Sequence, residues 1–169
     1  MEKRKTGTAV RRLTRMALLT AVALILFTVE AQIPVPVPIP GVKLGLANIV
    51  VIFALYKLGW KEAVGISLLR VLLVSLLFGH VASFLYSAAG AVLSLAGMIL
   101  LKKTEKLSCV AVSVLGGVLH NLGQILMAVA LMGRNVVYYL PVLILSGTVA
   151  GVAIGAVSAL LVHRVDLKA

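Results

Sequence analysis

Leu107–Met132 reads LSCVAVSVLGGVLHNLGQILMAVALM, without one Asp, Glu, Lys, Arg or Pro. A helix needs ~20 apolar residues to cross a hydrocarbon core ~30 Å thick, so this run is long enough to span. In lipid a helix satisfies its own backbone hydrogen bonds, and the run lacks the alternation of a barrel strand. Yet its middle, GGVLHNLGQ (116–124), holds His120, Asn121 and Gln124. Such side chains are costly in lipid and normally face a bundle interior or a cavity. The fold therefore needs other helices around this one.

The rest of the 169-residue chain supplies them. It is 62% hydrophobic and 12% charged, with mean hydropathy +1.14, well outside the range of soluble domains. We expect an all-α integral membrane protein, a single domain over 1–169, with spans near 16–29, 44–58, 63–78, 83–101, 107–132 and 138–163. The first three are short for spanning helices and call for little tilt, flanking extensions or partial unwinding. Met16–Val29 follows a basic stretch, and VEA at 29–31 resembles a signal-peptide cleavage site; we read it as a retained first helix. One cysteine, Cys109, leaves no intramolecular disulfide and reads as a small apolar filler.

The net charge of +11 would suggest nucleic acid in a soluble protein; here it reads as topology, and no nucleic-acid partner is expected. With both termini in the cytoplasm, thirteen of the sixteen Lys and Arg fall inside. They sit in the N-terminal tail, at Lys57 and Lys61, in KKTEK (102–106), and at Arg164 and Lys168. Lys43 and Arg134 fall outside, and Arg70 lies within a span. The reversed orientation fits badly. Tyr56 and Trp60 fall at the cytoplasmic boundary as interfacial anchors.

Arg70 is nine residues beyond Lys61, roughly 14 Å deep and close to the midplane. It either holds carbonyls and polar side chains within the bundle or binds a carboxylate or phosphate of a ligand. His120 lies fourteen residues past Lys106, roughly 21 Å in and so in the outer half. His120 and Gln124 share a helix face and Asn121 adjoins it. They form either an interhelical hydrogen-bond cluster or a ligand site, and three polar groups exceed what packing requires. Glu30, Lys43, Asn48, His80, Ser83 and Tyr138 fall toward the outer ends. Gly147, Gly151 and Gly155 form one small-residue stripe, and Ser87, Gly90, Ser94 and Gly97 another; both read as helix-packing faces. Ala17 and Ala21 offer a weaker A-x-x-x-A patch. QIPVPVPIPG (32–41) reads as an extended connector or as a lid over an outward-facing site.

No P-loop motif is present, Asp166 is the sole aspartate, and five scattered acids do not supply the clustered carboxylates of metal-dependent diphosphate chemistry. We expect no catalytic residues, no metal and no cofactor.

ANIVVIFALYKLGWKEAVGISLLRVLLVSLLFG (47–79), together with GGVLHNLGQ, resembles a bacterial membrane family. It is labelled heptaprenyl diphosphate synthase component I, also called the Gx transporter family, and the resemblance covers roughly residues 10–165. That family is similar to the S-components of energy-coupling factor transporters. The resemblance implies six helices in the bacterial plasma membrane with both ends cytoplasmic. It also implies an outward-facing solute pocket under the first outer loop, and a first-helix A-x-x-x-A patch for a membrane coupling protein driven by two ATPase subunits. The expected partners are a small-molecule solute, membrane lipid and that coupling protein. The expected ligand residues are Arg70, His120, Asn121, Gln124, Asn48, His80 and Glu30, with Ala17 and Ala21 at the coupling contact. A non-catalytic membrane partner in prenyl diphosphate or quinone metabolism is the alternative, and a stand-alone ion-coupled transporter a third reading.

Overall fold

The computed structural model describes residues 2–33, 45–78 and 81–166. Most of the proline segment expected as a lid, together with Lys43 and His80, lies outside them. The described chain forms six α-helices: α1 (Glu2–Ala31), α2 (Asn48–Lys57), α3 (Trp60–Phe78), α4 (Val81–Lys103), α5 (Cys109–Met132) and α6 (Leu140–Arg164). A 3-10 turn, Arg134–Tyr139, leads into α6. Four segments are long and apolar enough to cross a membrane: Ala9–Ala31, Val81–Lys103, Cys109–Met132 and Arg134–Arg164. The protein is a multi-pass membrane protein of helical class.

Boundaries differ from the expected ones for local reasons. The first helix starts near the beginning of the basic tail, because residues 2–15 contain no proline and are rich in helix-forming Lys and Arg. It stops at Ala31, two residues short of the Ile33–Pro34 junction, where proline disfavours helix in the residue before it. Ser108 caps α5, its hydroxyl accepting from the Ala111 N–H at 3.2 Å. Pro141 sits in the first turn of α6, where a missing N–H costs nothing.

The second expected span differs in kind. α2 has ten residues, about 15 Å of helix and half a bilayer core. Six consecutive residues, Val50–Leu55, are buried. A helix apolar and buried on every side belongs at the centre of a bundle. α2 touches α1, α3 and α6, and Ala54 and Leu55 are fully covered.

Around it the small-residue stripes bring backbones together. A Cβ on Gly147 would lie 2.9 Å from the Gly117 carbonyl oxygen, on Gly151 2.6 Å from Val114 Cα, and on Gly155 2.8 Å from Val110 Cα. Successive α6 glycines thus meet successive α5 turns in reverse order, which makes the pair antiparallel. Gly90 and Gly123 do the same for α4 and α5: a Cβ on Gly123 would stand 2.6 Å from the Ala89 carbonyl oxygen. Close backbone approach of this kind replaces the hydrophobic drive that lipid removes.

The basic side chains collect at one end. Arg12 of α1 pairs with Glu62 at the start of α3, Nε to Oε1 2.6 Å. Lys102, in the last turn of α4, donates to the Leu55 carbonyl of α2 and lies 5.1 Å over the Tyr56 ring. Lys57, Lys61 and Arg164 close the α2–α3 and α6 termini of this end.

Candidate functional site

Toward the other end the bundle holds a cavity of about 90 Å³, bordered there by Glu30, Asn48 and Ser83. By the measure in which one water takes ~10–15 Å³, that is room for roughly six to nine water-sized groups. Its walls come from all six helices. α3 brings Arg70, α5 brings His120, Asn121 and Gln124, and the C-terminal turn of α1 brings Glu30. Asn48 stands at the start of α2. Of the seven residues expected at a ligand, six line this one cavity, and His80 falls outside the described residues.

Their surroundings separate them by role. Glu30 is 6% exposed, and both of its carboxylate oxygens are engaged. Oε1 accepts from the Gly45 N–H at 2.7 Å and Oε2 from the Leu46 N–H at 2.8 Å. Helix α2 has no side-chain cap of its own. Glu30 supplies an anion where the exposed N–H groups and the helix dipole favour one. The Gly45 turn has φ +76°, which glycine adopts without a Cβ clash. The expected ligand residue Glu30 is thus held to the entry of α2 and positions the adjacent Asn48.

Asn121 is buried, and its Nδ2 donates to the Leu143 carbonyl at 2.6 Å. Its donor side ties α5 to α6, and the residue also borders the cavity. The two readings of the α5 polar block therefore divide within the block.

His120 and Gln124 lean over the α4 glycine at 90. A Cβ there would meet His120 Cε1 and Gln124 Cγ, each at 3.0 Å. Gln124 Oε1 is buried and has no hydrogen-bond partner, as is true of Ser113 Oγ on the same α5 face. Arg70 makes no ion pair or hydrogen bond with any described residue. A guanidinium with open donors, facing a cavity and not lipid, can bind a two-oxygen anion in bidentate fashion. Among the described residues no group of three His, Cys, Asp or Glu could hold a metal ion.

Ser113 and Gly117 border the cavity without having been singled out as ligand residues. The signal was helical spacing: 113, 117, 120 and 124 share one α5 face, as the 3.6-residue repeat requires. Ala17 and Ala21 are far from the cavity wall. Both are exposed on α1, beside Leu18 and Val22 on the face turned away from the bundle.

The family model for heptaprenyl diphosphate synthase component I matches residues 19–161, and the chain belongs to that family. No curated protein and no solved structure matches it.

Proposed function

We propose that this family member is the solute-binding membrane subunit of an ATP-driven importer, similar to an energy-coupling factor S-component. One observation carries the reading. The intramembrane cation Arg70, with donors open to the cavity, shares that cavity with Gln124, whose buried oxygen has no partner. Solute sites in membrane proteins concentrate ionisable and polar groups at such depth, where they are otherwise costly.

In this reading the chain spans the membrane six times with both termini in the cytoplasm, and the basic end faces inward. The cavity, at the opposite end, admits solute from outside. Arg70 neutralises its anionic group, and His120, Asn121 and Gln124 orient it. The chain itself performs no chemistry and takes up no cofactor. Ala17 and Ala21 form a flat lipid-facing patch for the coupling protein, which two ATPase subunits drive.

The test is native purification in nanodiscs followed by mass spectrometry. A small anionic solute released from wild type and absent from Arg70→Ala, with unchanged thermal stability, is the expected result. Equal occupancy in both overturns the site. Ala17→Leu with Ala21→Leu is expected to lose copurifying membrane and ATPase subunits while keeping the solute. The family description favours a second reading, a non-catalytic membrane partner of a prenyl diphosphate synthase. Copurification with a soluble prenyl synthase, and altered product length on deletion, would select it.

A further inference from the structure

Two unmatched groups at the cavity are of opposite hydrogen-bonding character. Arg70 offers N–H donors and a positive charge, and no described residue accepts from them. Gln124 Oε1 is an acceptor, buried and without a donor. Ser113 Oγ on the same wall is also unpartnered and can donate as well as accept, whereas three other polar side chains there are already used. Glu30 spends both oxygens on Gly45 and Leu46, Asn121 gives its amide N–H to Leu143, and Ser75 donates to Val71. A buried acceptor left unmade costs more than a made bond returns, so a resident that reaches Gln124 without a donor is penalised. Arg70 and Gln124 line the same cavity, whose volume of about 90 Å³ suits one small molecule and is too small to enclose a polyprenyl tail.

We infer that the cavity takes a small acid bearing a separate O–H or N–H donor: its carboxylate or phosphate on Arg70, its donor on Gln124 Oε1. This rests on the solute-binding reading above and narrows its substrate class to hydroxy or amino acids and their phosphate counterparts. Bare hydrocarbon acids and isoprenoids fall outside it.

The experiment uses the full chain in phosphatidylcholine nanodiscs and matched probes that differ by one hydroxyl: propionate against lactate and succinate against malate, with inorganic phosphate as a reference anion. Wild type is expected to bind the hydroxylated member of at least one pair about tenfold more tightly, the worth of one neutral hydrogen bond in a buried site. Gln124→Met, which keeps side-chain length, is expected to lose that preference while still binding the anion. Arg70→Gln is expected to lose both members.

Equal affinity within every pair in wild type, as water serving Gln124 would produce, overturns the inference, as does a preference that survives in Gln124→Met. If anion binding persists and depends on Arg70 in those cases, the solute-binding reading stands and only the donor requirement falls. If no probe binds, or binding ignores Arg70, both fall. A phospholipid retained in an Arg70-dependent manner would show a lipid head group as the resident and overturn the free-solute form.

Discussion

Glu30 and Arg70, both expected among the ligand residues, do different work at the cavity wall. Glu30 holds two backbone N–H groups fifteen and sixteen positions away, a contact that no local pattern announces. Arg70 announced itself by depth, because a charge nine residues inside an apolar run requires a polar space around it. The Asn121 amide was legible as polar, but its partner, Leu143, is twenty-two residues on; only the α5–α6 crossing shows that its donor is used. Glu30→Gln keeps the volume but removes the charge and replaces one acceptor with a donor facing an N–H. Hydrogen bonds to charged groups contribute about 1.5–3 kcal/mol. We expect Glu30→Gln to lower the detergent melting temperature and speed amide exchange at Gly45 and Leu46. Asn121→Ala should cost less, about 0.6–1.5 kcal/mol, in line with interhelical bonds in membranes. Glu30→Gln matching wild type in both measurements would remove the latch role.

At the scale of elements, the long apolar runs were legible because length and hydropathy alone decide them, and α4, α5 and α6 fall close to where the sequence places them. α2 was harder. A ten-residue apolar helix buried on all sides and a short spanning helix carry the same sequence signal, and only its neighbours distinguish them. The glycine stripes were legible as packing faces, but not which glycines tolerate change. Gly123 faces backbone: an added Cβ would lie 2.6 Å from the Ala89 carbonyl oxygen and 2.8 Å from Gly90 Cα. Gly116 faces Met98, with Sδ at 2.6 Å, a flexible thioether that can turn aside. Gly123→Ala must therefore separate α4 from α5, at about 1–3 kcal/mol, whereas Gly116→Ala should be several-fold milder. Thermal unfolding of the two variants in one detergent tests this, and a Gly116→Ala as damaging as Gly123→Ala would contradict it.

For the whole molecule, what the sequence offered was a distribution of charge, and the fold turns that distribution into a direction. Arg12 meets Glu62 and Lys102 reaches Leu55 at the same end, so basic residues far apart in the chain become one face. The cavity with Arg70 and Gln124 lies toward the opposite end, bordered by Glu30, Asn48 and Ser83. Positively charged loops stay on the cytoplasmic side, so the orientation we propose puts the cavity toward the outside. The ends of α5 provide the test. Lys106 precedes α5 at the basic end and Asn135 follows it beyond Gly133; both are exposed, and α5 runs Cys109–Met132 between them, about 36 Å of helix. With Cys109→Ser removing the native thiol, a membrane-impermeant maleimide added to intact cells should label Asn135→Cys and not Lys106→Cys, and permeabilisation should expose the second. The reverse pattern would place the cavity toward the cytoplasm. A solute entering there could not be one captured outside, so the importer reading would fail even with Arg70 and Gln124 binding it as inferred.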